Sequence, residues 1–315
     1  MLNLTEVAMY PPGTFGPSGE ILKSPSYGYL VSKGTAMAFV VLFSITTLVH
    51  LVEAIYFRMW WLLPTVGLAG AGEVLGWSGR LWSSYSPLLQ DPYLMQIVAT
   101  ILAPTPYVAA LFMIFARVTQ HLGEQYSRLS PRLYSRIFLT ADVVALVVQG
   151  AGGGLAATAS TQSGSNLGGN IMLGGIIFQL VALIAFVSVA TEYYIRYTLD
   201  HPIRPTRGSK RTEMNYRMKL LTGSLAFIIV CIFIRSIYRT AELADGWNGR
   251  IITTEWYFNV FDGAMILLAM WTLSILHPGY LMQSSEYDFM SQSVALNEKY
   301  SKTSSTLSTP TPSRV

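Results

Sequence analysis

Apolar residues in this chain fall into long runs separated by short polar segments, a spacing that fits neither soluble helices nor alternating strands. Seven runs approach the roughly 20 apolar residues that a helix needs to cross a hydrocarbon core. They are Thr35–Leu51, Leu62–Trp82, Leu94–Ala116, Ile137–Ala157, Ile171–Ala190, Leu220–Tyr238 and Trp256–Leu276. The first is the shortest and gains a turn if Lys33 snorkels to the interface. Pro104 and Pro106 should kink the third span without breaking it. Trp60, Trp61, Trp82 and Trp256 stand at span ends, where amphipathic rings prefer to sit. The pattern predicts an all-α polytopic membrane protein with seven transmembrane helices.

Composition agrees. Of 315 residues, 51% are apolar and only 12% charged, about half the charge of an ordinary soluble domain. That balance excludes a typical cytosolic enzyme and a long disordered protein. The single cysteine, Cys231, excludes an intramolecular disulfide and a cysteine-based zinc site.

Charge then orients the spans. Twelve Lys and Arg residues lie after the first, third and fifth spans: Arg58, the set from Arg117 to Arg136, and the set from Arg196 to Lys219. The opposite side is poor in them, with none between Thr158 and Asn170. The positive-inside rule places the N-terminus outside and the C-terminus in the cytoplasm. Residues 1–30 then form an extracellular segment, 31–282 the transmembrane domain and 283–315 a cytoplasmic tail. Asn3-Leu4-Thr5 is a glycosylation sequon on the outer side. Met1 to Pro12 lacks a basic segment followed by an apolar run, so no cleaved signal peptide is expected. From Ser301 to Val315 nine of fifteen residues are Ser or Thr, which reads as a disordered, phosphorylatable tail. The Arg204–Lys219 stretch is a topology determinant that could also meet anionic lipid heads.

Polar residues inside the spans carry the functional information, because a charge at the bilayer centre costs about 2.5–3.5 kcal/mol on insertion scales. Four helices hold a pair seven residues apart: Glu73 and Arg80, Asp142 and Gln149, Arg235 and Glu242, Glu255 and Asp262. Seven residues is close to two turns, so each pair shares a helix face. Arg239 joins the sixth-helix set. Four polar faces predict a shared polar interior, most of it lining a cavity in the outer half of the bilayer. Packing-only ion pairs, Arg235 with Asp262 or Arg80 with Glu73, are the competing expectation. Gly72 and Gly76 form a GxxxG face for close helix approach. Gly150 to Gly154 either serve the same purpose or let the fourth helix unwind beside Gln149.

These positions carry a family resemblance. Glu73-x-x-Gly76-x-x-x-Arg80, Asp142 with Gln149 and Gly152-Gly153-Gly154, Arg235-Ser236-Ile237-Tyr238-Arg239-x-x-Glu242, and Glu255-x-Tyr257-x-x-x-x-Asp262 ending in His277-Pro278-Gly279 resemble the fungal RTA-like, or lipid-translocating exporter, family. The resemblance runs from Tyr27 to Met282. It implies a seven-helix fungal membrane protein associated with release of sphingoid long-chain bases and resistance to toxic amphiphiles.

The expected function is translocation or export of amphiphilic lipids, with Glu73 and Asp262 accepting a cationic head. Arg80, Arg235 and Arg239 would align those carboxylates or take an anionic head instead. Asp142, Gln149, Glu242, Glu255 and Tyr257 complete the expected site. The alternative is a lipid sensor that regulates membrane asymmetry. The G-protein-coupled receptor pattern does not fit, since the third span ends in Ala116-Arg117-Val118 and the seventh in His277-Pro278-Gly279. An enzyme is not expected: the four histidines show no H-x-x-x-H spacing for zinc. No phosphate-binding loop occurs, so movement would be downhill, proton-coupled or dependent on another protein. No cofactor, metal or nucleic acid is expected. The partners are an amphiphilic substrate, membrane lipids and a regulatory protein or transporter at the cytoplasmic face, with the plasma membrane as the expected location.

Overall fold

The computed structural model describes residues 10–203, 213–247 and 249–282. The Asn3 sequon and the Ser/Thr-rich tail lie outside the described residues. Helices appear where the apolar runs predict them, each extended beyond the run by polar ends.

The first helix, Lys33–Tyr56, is capped by Ser32, whose side chain accepts from the Thr35 amide. It begins at Lys33, as the snorkelling argument requires, and the Lys33 ammonium sits 4.3 Å from the centre of the Tyr85 ring. The second helical unit is composite: a 3₁₀ turn at Trp60–Leu62, a π segment at Leu63–Gly67 and an α-helix at Leu68–Tyr85. Its 18 α-helical residues rise only about 27 Å, so the preceding turns are needed to span the bilayer. The third unit runs Asp91–Leu102 and resumes at Pro104–Leu122. Ala103 alone interrupts it, with helical dihedrals, immediately before Pro104.

The fourth helix, Pro131–Thr158, and the fifth, Gln162–Leu199, form a hairpin with a very short turn. Their backbones touch. A Cβ on Gly152 would stand 2.6 Å from the Met172 amide, and one on Gly168 would stand 2.4 Å from that of Ala156. Only glycine permits that approach. The fourth helix is continuous through Gly150–Gly154, so the unwinding expectation is not met. Each amide there is kept in the helix ladder, and Gly152 is spent on packing. The sixth helix is Tyr216–Asp245. The seventh is composite like the second: Glu255–Phe258, a π segment at Asn259–Ala264, then Met265–Ile275.

Six of these units are long and apolar enough to cross a membrane by length and composition. The second, rich in Gly, Ser and charge, is the exception and owes its place to its neighbours. A girdle of exposed apolar residues, among them Leu48, Val52, Val147, Val181, Ile237 and Leu268, surrounds a core of buried aromatic and aliphatic side chains. The core resembles a soluble protein's, but the apolar surface around it does not, and it marks a multi-pass membrane protein.

Residues 10–32 fold back over one end of the bundle. Tyr27 is buried with its hydroxyl 3.2 Å from that of Ser83, and the Ser24 hydroxyl donates to the Pro87 carbonyl at 2.8 Å. The segment is thus tied to the second helix and to the turn that follows it.

Candidate functional site

The site starts from a missing donor. Pro104 has no amide hydrogen, so the carbonyl of Thr100, four residues earlier, loses its helical partner. The Arg235 guanidinium donates to that carbonyl. Thr100 also turns its hydroxyl to the other arginine of the sixth helix: Arg239 Nη2 donates to Thr100 Oγ1 at 2.7 Å, while the hydroxyl itself donates to Gln96 O at 2.9 Å. One threonine, exposed by a proline, therefore docks two arginines.

Both arginines converge on Asp262 in the π segment of the seventh helix. Arg239 grips it with Nε and Nη2 at 2.7 and 2.8 Å, and Arg235 Nε lies 2.9 Å from Oδ1. The Arg235 contact is an ion pair without hydrogen-bond alignment, since its Nε lacks a properly directed acceptor. Arg239 Nη1 donates to Glu242 at 2.7 Å, and Tyr238 donates to the other oxygen of that carboxylate at 2.7 Å. All of these groups are buried. In so little solvent such charges persist only when paired and hydrogen-bonded.

Arg80 belongs to a second station nearer the N-terminal segment. It donates to the Tyr29 hydroxyl at 2.9 Å and to Glu255 at 3.3 Å. The Phe258 ring joins the two stations, its centre 4.5 Å from the Arg80 guanidinium carbon and 5.1 Å from that of Arg239. The expected Arg80–Glu73 pair does not form. Two turns along one helix hold the two groups apart, and Glu255 reaches Arg80 from the seventh helix instead.

Glu73 is left over. It is 0% exposed, and neither carboxylate oxygen has a hydrogen-bond partner among the described residues. Its electrostatic neighbours are Asp262, Arg235 and Arg239. Around the network four carboxylates, Glu73, Glu242, Glu255 and Asp262, face three guanidiniums.

The fourth-helix pair lies apart from this network. Gln149 donates to Gln179 at 3.0 Å, and Gln179 donates to Thr105 at 3.3 Å. Asp142 makes no ion pair among the described residues and opens onto a groove. Tyr257 stays at the margin, its ring against Trp256 at 4.4 Å between centroids. Instead of one open outer cavity, the charged network is closed by its own contacts. A cavity of about 230 Å³ reaches it only at Glu242, beside Asn166, Asn170 and Trp247.

Sequence reasoning places His50 at a helix end and gives it no role. It is instead buried within the first helix, 3.0 Å from the Met270 carbonyl and 3.1 Å from the Ser274 hydroxyl. Gln179 and Thr100 also escape a reading by sequence. The signal for Thr100 is present four residues before Pro104; Gln179 is an isolated polar residue in an apolar span.

Comparison with known proteins gives a consistent picture. Residues 66–285 match the family model described as "RTA1 like protein". The sphingoid long-chain base transporter RSB1 of Saccharomyces cerevisiae is 30% identical over 268 residues, covering 76% of this chain and 70% of that protein. Protein RTA1 of the same organism is 30% identical over 224 residues, covering 68% of each chain. Protein RTM1 is 30% identical over 198 residues, covering 62% of this chain and 61% of its own length. No solved structure matches the chain.

Proposed function

This chain belongs to the RTA1-like family, and on that premise we propose that it moves single-chain amphiphiles with a cationic head, such as sphingoid long-chain bases, across the bilayer. The observation that carries the head-group choice is Glu73, a buried carboxylate without a hydrogen-bond partner among the described residues. The three guanidiniums are already engaged by Asp262, Glu242, Glu255, Tyr29 and Thr100. An anionic head would have to displace a carboxylate from an arginine. A protonated amine would instead supply the cation that the network lacks. Asp262, expected from sequence to take the ammonium, is better read as the anchor that fixes both arginines.

Export would run from the cytoplasmic side outward, with the N-terminus outside and the protein in the plasma membrane. Resistance to toxic cationic amphiphiles would follow from the same activity. The positive-inside charge distribution supports that orientation.

The test is transbilayer movement of a fluorescent sphingoid base and a fluorescent phosphatidic acid in liposomes holding the purified protein. Movement of the base above protein-free liposomes, with no gain for the phosphatidic acid and loss in Glu73→Gln, is the expected result. No movement of either lipid by folded protein would overturn the transport reading. Preferential movement of the phosphatidic acid would overturn the head-group assignment.

A further inference from the structure

We propose that a membrane-facing groove between the second, third and fourth helices is the lateral binding site for the amphiphile, its tail along the groove and its protonated amine on Asp142. The inference extends the transport reading above to a site outside the charged network.

The groove holds about 440 Å³, within the range of small-molecule pockets. Leu68, Leu75, Leu102, Val143 and Leu146 supply apolar wall, and Asp142 is the one ionisable side chain among the residues that line it. Leu68, Leu75 and Val143 are each at least half exposed in the isolated chain, so the mouth opens towards lipid. Asp142 itself is 1% exposed, and its Oδ2 has no hydrogen-bond partner among the described residues.

The local sequence builds this opening. Gly72 and Ala103 let the second and third helices touch: a Cβ on Gly72 would stand 2.8 Å from that of Ala103. Just beyond, Pro106 joins the wall of the groove, past the interruption of the third span at Ala103. Gly72 immediately precedes Glu73, so the groove and the buried network back onto the same turn of the second helix.

Charge selects the occupant. A phospholipid acyl chain would fill the apolar wall and leave the carboxyl unmatched in hydrocarbon, where an isolated charge is costly. A phosphate or carboxylate head would find no cation among the residues that line the groove. A single chain ending in an ammonium satisfies both parts of the groove, the walls through its tail and Asp142 through a charge-assisted hydrogen bond.

The experiment uses the full-length protein in nanodiscs of neutral phospholipid, with a photoreactive, alkyne-tagged sphingosine and its uncharged N-acetyl analogue. Crosslinked peptides are mapped in the wild type, Asp142→Asn and Val143→Trp. The expected labelling falls within residues 68–75, 99–109 and 139–146. Asp142→Asn should weaken capture of the amine about tenfold or more and leave the N-acetyl probe unchanged. Val143→Trp should weaken both probes by filling the groove.

Labelling confined to other segments, or equal capture of the amine by wild type and Asp142→Asn, would overturn the proposal. If Asp142→Asn does not fold, Val143→Trp decides, and unchanged amine labelling there sinks the groove. Binding is read without transport, so the two ideas fail separately. Groove labelling by a protein that moves no lipid in liposomes removes the transport reading alone. Intact transport with no groove labelling removes the groove alone.

Discussion

Arg239 holds Asp262 in a two-pronged contact, Nε to Oδ1 at 2.7 Å and Nη2 to Oδ2 at 2.8 Å, with Arg235 on the same carboxylate from one turn earlier. A single acid thus bridges two buried guanidiniums from the sixth helix, and Glu242 supplies the second negative charge. Their remaining donors go to Thr100 and Glu242. The arrangement ties the third, sixth and seventh helices through groups that cannot be removed singly without leaving a charge stranded.

Asp262→Asn should therefore lower stability by roughly 3–5 kcal/mol, the usual cost of breaking a buried pair from one side. Arg235→Gln should cost less, because its contact is less well aligned. The double variant should recover about 1–3 kcal/mol relative to the sum of the two, as expected of groups in one network. Thermal unfolding in detergent measures all three. Strict additivity would mean that Arg235 and Asp262 do not interact.

Gly76 rests on Thr100, where a Cβ would stand 2.4 Å from the threonine methyl. Gly76→Ala should cost about 1–3 kcal/mol by overpacking and should reduce transport, because the displaced threonine serves both arginines. Gly150→Ala meets nothing within 4 Å and should be neutral or stabilising by up to about 1 kcal/mol. Paired melting and transport measurements check the contrast. Equal effects of the two substitutions would contradict the proposed contact.

The docked N-terminal segment has its own pH dependence. Burial pushes the Tyr27 phenol up to about 12, against partial compensation from the Arg80 charge. The undocked phenol ionises near its ordinary value of about 10. A raised pKa on an acid means that docking binds the proton more tightly, so docking is fully favourable below pH ~10 and weakens from there towards ~12. Hydrogen exchange of residues 24–32 should be insensitive to this group between pH 7 and 9, after correction for intrinsic exchange, and lose protection above 10. Tyr27→Phe should reduce the high-pH loss and leave the part that comes from Tyr29, whose phenol is also pushed up by burial.

Much of this architecture can be read from the chain. Apolar run length places the helices, and the seven-residue spacing correctly puts Glu73, Arg80, Asp142, Gln149, Arg235, Glu242 and Asp262 inside the bundle. Partner choice is another matter. Glu73 and Arg80 stand about 10 Å apart along one helix, but that Glu255 takes Arg80 instead depends on the rotation and axial shift of the seventh helix against the second, which hydrophobic periodicity does not encode. The separation of Asp142 and Gln149 from the arginine network has the same cause. Thr100 is hidden because its role comes from an absent hydrogen four residues away, and His50 because one polar residue in an apolar run has many fates.

The π segment at Asn259–Ala264 carries Asp262, and this makes the seventh helix sensitive to a kind of change that composition does not register. A π turn is an α-helix with one residue too many. Deleting one residue from Asn259 to Phe261 would keep the helix, its apolar character and every charged group. Because the bulge absorbs its extra residue locally, the helix on either side would keep its phase, and what would change is the aim of the side chains inside the segment, Asp262 among them. Such a deletion should leave the seventh helix folded while loosening the grip of Arg235 and Arg239 on Asp262, so helicity would be kept where the site is lost.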